Sequence, residues 1–528
     1  MKTEIKTGNV GLDLLYPLII SFLEKDLLEL SIDGKIVRGF RSPDAKSIWI
    51  RDHSDMLRGG RYFYPDMTSA VEHFAETQSA SGRIFDYFTT YPEKPPSERE
   101  NWTKYVRVPV EADVEYRFIK AAYLAWQAAG DDAWILRLLP RMELALQYVM
   151  SHPWYWDAMH RLVKRPYTID TWDFAYTAGA HDWLQFQIDE NTYWGIMHGD
   201  NSGYYEAFRI MSRLYSRFGQ DEQAWFWEQA AVDLKRNLNK LCWNGRFYTH
   251  FCKLSVVSIP GVNEDFQLSL SNPMAVNRGV AAHEQAVSIL EEYQSRRGRT
   301  GAFAEWFSID PPFPAGIFGD DKLVEGAYVN GGIMPLVGGE LARAAFEHGH
   351  EEYGVDILLR YSAMISEKNE TYLWYFPDGR AATIETSTSP EAEPTDGWGS
   401  SAMLYALIEG LAGIEDMGRG FDKCRISPRW PAAGVHTADI KVAYGASGGG
   451  IGYRYRRHSN SIELSLQTER TNASFHLLLP AGMIGTAVKL NKNLIPFQNA
   501  AVETSPYVEF EAEIEGHNKV TVHFESDS

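Results

Sequence analysis

Cysteine is almost missing from this chain of 528 residues: Cys242, Cys252 and Cys424 are the only three, and none is spaced C-x-x-C. That argues against a disulfide framework and a thiolate zinc site, and makes reduced cytoplasmic thiols the expectation. Basic residues are in deficit, with 51 Lys and Arg against 70 Asp and Glu and a formal charge of -19. Binding to nucleic acid or an anionic membrane requires clustered cations, so neither is expected as a partner. No apolar run reaches the length of a membrane span. The N-terminal apolar run is bounded by Asp13 and Glu24, contains Pro17 and is followed by no small-residue cleavage site, so it reads as a packed helix. No fixed-length repeat supports a regular solenoid. No H-E-x-x-H or P-loop is present, and the G-x-S-x-G match at 445–449 lies in a Gly-rich hairpin turn without strand-to-helix context, so no metal or cofactor is expected.

Aromatic side chains, by contrast, are plentiful: 16 Trp, 28 Tyr and 26 Phe. They suit both a large core and the stacking of sugar rings. The length corresponds to several ordinary domains or one large barrel with appendages. Residues 1–46 read as a helix and a hairpin, with Asp33-Gly34 as the turn. From about 111 to 413 the apolar period is helical. Paired runs (111–129 with 132–150, 204–218 with 221–241) are followed by 281–296, 335–347, 351–365 and 400–411, with glycine stops at Gly130, Gly219, Gly349 and Gly413. This is the spacing of helical hairpins whose long, chemically loaded loops lie at one end, as in a helical toroid. Beyond 418 short alternating segments separated by Gly, Asn and Ser predict an antiparallel β-sandwich over 418–528.

The stretch from Tyr167 to Tyr205 concentrates the chemistry, with Asp170, Asp173, His181, Asp182, Asp189, Glu190, His198 and Asp200 among aromatic residues. A carboxyl wedged beside indole or phenyl loses water, and its pKa rises towards that of a proton donor. Asp173 lies between Trp172 and Phe174. Glu385 lies in a Thr/Ser run, where hydroxyl and amide donors would hold it ionised. An inverting glycosidase needs such a pair: a protonated carboxyl at the leaving oxygen and a carboxylate activating water about 6.5–9.5 Å away.

Several segments, taken in order, resemble the inverting (α/α)6-barrel glycosidases: the processing α-glucosidase I family, the trehalases and, more distantly, the glucoamylases. Trp49-Ile50-Arg51-Asp52 stands where these families hold the terminal sugar. Thr171-Trp172-Asp173-Phe174 is similar to the segment carrying their general acid. His198-Gly199-Asp200-Asn201 opens a helix as the trehalase V-D-L-N does. Ile384-Glu385 ahead of Gly397-Trp398 is similar to the segment carrying their base.

The resemblance implies a mainly α fold, an (α/α)6 toroid over 47–417 flanked by an N-terminal segment (1–46) and the C-terminal sandwich (418–528). It implies Asp173 as acid and Glu385 as base. Trp49, Arg51, Asp52, Trp172, Asp200, Asn201, Tyr328, Asn330 and Trp398 would line the pocket of a small carbohydrate. Departures from the motifs keep Asp170 open as the acid and Glu391 or Glu393 as the base. Glu305-Trp306 is a reserve pair. Arg51 and Asp52 also fit a structural ion pair, Asp200 a helix cap, Asn330 a turn and Trp398 a core anchor. Tyr328-Val329-Asn330-Gly331-Gly332 resembles a disaccharide phosphorylase motif. Phosphorolysis therefore stays open beside exo-acting hydrolysis, as does a carbohydrate-binding protein without turnover. The sugar, the anomer and the oligomeric state have no signal in the sequence.

Overall fold

The computed structural model describes residues 1–32, 34–43, 45–89, 111–170, 176, 188, 190–389 and 393–527, with Tyr105–Val106 described by its backbone. Twelve α-helices lie among the described residues. They are α1 (Val10–Lys25), α2 (Ile50–Gly60), α3 (Ser69–Glu76), α4 (Val114–Ala129), α5 (Asp132–Ser151) and α6 (His198–Arg217), then α7 (Asp221–Cys242), α8 (Ser271–Asn277), α9 (His283–Thr300), α10 (Pro335–Glu347), α11 (Glu351–Lys368) and α12 (Gly397–Tyr405). The helical hairpins expected from periodicity are present, and Gly130, Gly219, Gly349 and Gly413 all have positive φ. None of the helices among the described residues is long and apolar enough to cross a membrane.

The even-numbered helices form an inner set. Contacts run from α2 to α4, α6, α8, α10 and α12, and α12 packs back on α2. Outside them α5 packs on α4, α7 on α6, α9 on α8 and α11 on α10, while α1 lies against α11 and α12. Burial separates the two sets. On α10 every residue from Pro335 to Phe346 is buried, and α4 is buried on nearly every side, whereas α5 and α7 bury one face only. A helix buried all round belongs inside. Close approach there needs small residues: a Cβ on Gly339 would stand 2.4 Å from the Ala402 backbone of α12.

The inner helices also bury charge. Arg117 bonds Asp55 at 2.7 Å, Arg58 bonds Glu340 at 2.5 Å, and Arg61 pairs with Glu409. Such groups are tolerated in a core because each cation meets a carboxylate. They also explain why α2 and α8 escape a periodicity search, since their buried residues include His53, Ser54, Asp55 and Arg58, and Ser271 and Asn272.

After α12 and the π-turn Ala406–Leu411 the chain becomes strands. These make one hydrogen-bonded sheet of ten strands rather than two separate ones. Two long strands, Ser461–Leu478 and Ser505–Ser526, pair along their length and carry both halves of the sheet, with a register shift between Thr468 and Thr471. Pairing is antiparallel except between Lys423–Ile426 and residues 472–475. The edge strand Glu4–Lys6 comes from the far end of the chain and pairs with Asp439, Ile440 and Lys441. The expected hairpin forms between Leu27–Ile32 and Lys35–Phe40.

Candidate active site at the helix N-termini

The first turns of the inner helices are linked by polar side chains. From α2, Arg51 reaches Asp113, the residue before α4, at 2.8 and 2.9 Å, and Glu111 at 3.3 Å. Asp113 is buried, which works against its charge, yet Arg51 and Arg117 hold its pKa well below the usual carboxylate range. Asp52 accepts from Arg41 at 2.9 Å. The expected Arg51–Asp52 pair is thus two pairs, each residue bonded elsewhere. Trp49, half-buried, stacks on Tyr87 with ring centroids 4.0 Å apart. Tyr328 is buried at positive φ, close enough to Asp52, Arg41 and Arg51 to feel their charges, and burial raises its pKa.

On α6, Asp200 is buried with Arg165 Nη1 at 3.4 Å. Burial, reinforced by Asp113 and Asp170 and opposed by Arg165, pushes its pKa up to about 6. Its neighbour Asn201 has a scaffolding place: Oδ1 accepts from Val163 N at 2.8 Å and Nδ2 donates to Val163 O and Met197 O. Asp170 is also buried, and Ser271 at the start of α8 donates to it through both N (3.0 Å) and Oγ (2.8 Å). Gly199 lies against this contact, and a Cβ there would come within 2.3 Å of Ser271 Oγ. The glycine is what lets the first turn of α6 close on Asp170 and Ser271.

The last helix brings a second acidic group. Asp396 caps α12, its Oδ2 accepting from Trp398 N at 3.1 Å, and burial with the nearby Asp52 charge raises its pKa to about 7. Glu393 is buried, and neither carboxyl oxygen has a hydrogen-bond partner among the described residues; burial together with Asp396 pushes it up to about 9. Asp26 lies beside them, raised chiefly by burial and then by Asp396. None of these buried carboxyls except Glu393 was singled out by sequence. Asp26 follows an ordinary apolar helix and Asp396 reads as a helix cap, so only their mutual burial marks them.

Trp172 and Asp173 lie outside the described residues, as do His181, Asp182, Asp189 and Glu391. Glu385 sits in an exposed turn, where its own backbone amide and the Thr383 hydroxyl lower its pKa. The Thr/Ser environment therefore acts on Glu385 in the expected direction, but the described residues place no aromatic wall around it. Asn330 is buried and bonds only backbone, accepting from Phe313 N at 2.7 Å and donating to Phe313 O and Leu323 O. Trp398 is 4% exposed, and its Nε1 donates to Asp55 Oδ2 at 2.5 Å. A ring so enclosed anchors α12 to α2, which fits the core-anchor alternative better than a stacking platform. Glu305, the reserve carboxylate, is bound by Arg360 and Tyr353.

No family model and no curated relative matches the sequence. The fold, however, is shared with solved glycoside hydrolases. The α-L-rhamnosidase of Dictyoglumus thermophilum superimposes over 99% of this chain and 50% of its own, with TM-score 0.61 and 14% identity. The Streptomyces avermitilis α-L-rhamnosidase complexed with L-rhamnose covers 99% of this chain and 42% of its own, with TM-score 0.59 and 14% identity. The GH63 mannosylglycerate hydrolase of Thermus thermophilus, in complex with glucose, covers 75% of this chain and 99% of its own, with TM-score 0.51 and 12% identity. This chain thus spans about half the length of the rhamnosidases it matches.

Proposed function

We propose that this protein is a glycoside hydrolase that removes a terminal sugar from a small oligosaccharide or glycoside with inversion of the anomeric centre. Residues 47–417 form the (α/α)6 toroid of this reading and 418–528 its sandwich domain, which takes its edge strand from the 1–46 segment. The observation that carries the proposal is the presence of buried, differently protonated carboxyls at the N-terminal ends of the inner helices α4, α6 and α12. Asp113 is held ionised, Asp200 and Asp396 are pushed into the neutral range, and Glu393 stays protonated. Carboxyls with separated pKa values are what acid–base cleavage of a glycosidic bond requires.

In this mechanism Asp173 is the proton donor to the leaving oxygen, with Asp170 the alternative. Glu385, ionised in its turn, deprotonates the attacking water when substrate covers it. Of the other base candidates, the protonated Glu393 suits proton donation better than water activation. Trp49, backed by Tyr87, offers an aromatic face to a sugar ring, while Arg51, Asp52 and Tyr328 offer polar groups around it. Two of the structural neighbours are complexes with single sugars, L-rhamnose and glucose, which supports a pocket built for one terminal residue.

A panel of aryl glycosides and short oligosaccharides, with and without phosphate, tests this while NMR follows the product anomer. Inverted product independent of phosphate is expected. Asp173→Asn and Glu385→Gln should each lower kcat by about 10²–10⁴-fold while leaving sugar binding intact. Phosphate-dependent release would make the enzyme a phosphorylase. Sugar binding without turnover by the parent chain would make it a binding protein.

A further inference from the structure

The inner helices enclose a cavity towards their C-terminal ends, and no step of the proposed hydrolysis uses it. It has a volume of about 280 Å3 and is lined from the C-terminal halves of α2, α4 and α6 and the ends of α8 and α12. In a chain of net charge -19 this wall carries a cationic excess: Arg58, Arg61, Lys120, Arg209, Arg213 and Arg278 line it against Glu206, Glu409, Glu415 and Asp416.

Most of these cations have carboxylate partners: Arg58 has Glu340, Arg61 has Glu409 and Arg209 has Glu228. Glu206 is shared between Lys120 and Arg278, and together these hold its pKa down against burial. Arg213 has no ion pair among the described residues; its guanidinium meets the hydroxyl of Tyr123. Arg58 is buried, and its Nη2 has no hydrogen-bond partner among the described residues; Arg61 is buried with Nε in the same condition. Of the lining carboxyls, Asp416 is raised to about 6 by burial, while Glu409 is engaged by Arg61. Around a hollow of this size, five guanidinium groups and Lys120, with three tyrosines and Asn277, outnumber the four lining carboxyls Glu206, Glu409, Glu415 and Asp416.

We infer that this cavity binds a small, multiply charged anion of the phosphate class, apart from the site at the helix N-termini. Arginine forks match phosphate oxygens two at a time, and an enclosed low-dielectric wall strengthens the attraction. A short chain of bonds joins the cavity to the first turns of α6. Arg278 lines the cavity and also donates to Gly199 O at 3.0 Å and Ser202 Oγ at 2.8 Å, in the first turns of α6 beside Asp200.

Isothermal titration of the full chain with inorganic phosphate at low ionic strength tests the site. Arg209 and Arg213 are the accessible cations, so the Arg209→Gln/Arg213→Gln pair can be made without disturbing the buried network. Saturable binding is expected, weakened at least about tenfold by the double glutamine variant and largely restored by the double lysine variant. Phosphate should also raise the Tm of the parent more than that of the glutamine variant. No saturable heat with the parent, or equal affinity in parent and glutamine variant, would overturn the inference. Both outcomes are independent of whether the protein hydrolyses glycosides.

Discussion

Arg51 and Asp113 meet through two parallel bonds, Nε to Oδ2 at 2.8 Å and Nη2 to Oδ1 at 2.9 Å, which tie the first turn of α2 to the start of α4. The fork leaves Arg51 positioned by a buried carboxylate rather than by its neighbour Asp52. Asp113→Asn takes the fork from Arg51, leaving it Glu111 at 3.3 Å, while Arg117 keeps Asp55, and is expected to cost about 3–5 kcal/mol of stability. Arg51→Gln, at a more exposed position, should cost less. Denaturant titration of both single variants and the double variant measures their coupling, and additive losses would contradict the pairing.

Glu393 makes stability depend on pH in a defined direction. Its folded pKa is raised to about 9, so the folded chain keeps a proton that the unfolded chain releases above the ordinary glutamate range. The stabilisation is complete at acid pH and disappears as pH rises through the folded value. Glu393→Gln cannot ionise. Its unfolding free energy should therefore fall less than that of the parent between about pH 5 and about pH 9, by on the order of a few kcal/mol, and its Tm correspondingly less. Parallel Tm profiles for the two proteins would show that the carboxyl is not buried.

Trp398 is predicted to matter for stability and not for sugar affinity. Trp398→Phe keeps most of the ring and removes the donor to Asp55, leaving a buried carboxylate short of a partner. A loss of about 1–3 kcal/mol is expected, with KM unchanged within a few-fold. A rise in KM without loss of stability would return this indole to the pocket wall.

Ser271 distinguishes the two aspartates of the central loop. If Asp170 is a positioning residue for the start of α8, Ser271→Ala lowers stability by about 1 kcal/mol and leaves kcat within a few-fold of the parent. If Asp170 is the proton donor, losing the hydroxyl that orients it lowers kcat by about tenfold or more. Such a loss at unchanged stability would move the acid assignment from Asp173 to Asp170.

The sequence made most of the helical scaffold legible because the outer helices obey a simple apolar period: Asp132–Ser151 and Asp221–Cys242 lie within a residue of the expected spans. It concealed α2 and α8, whose buried residues mix polar side chains with apolar ones. Periodicity counts hydrophobic residues and has no term for an Arg58 neutralised by Glu340, a partner 282 positions away. The site was legible as composition but not as role. Asn201 and Asn330 have side chains typical of sugar binding, yet the backbone of distant segments takes up their hydrogen bonds. Asp26 and Asp396 matter through mutual burial, which no single stretch of sequence records.

The strand Glu4–Lys6 has a consequence for how the chain is assembled. Its partners Asp439, Ile440 and Lys441 are more than four hundred residues downstream, so this edge of the sheet stays open until those residues have left the ribosome. The helices between the two segments can pack earlier, but the clasp that holds helices and sheet together closes late. A protease acting on a nascent or half-folded chain should therefore cut this segment early, and ordering of the strand reports that sheet and helices have docked.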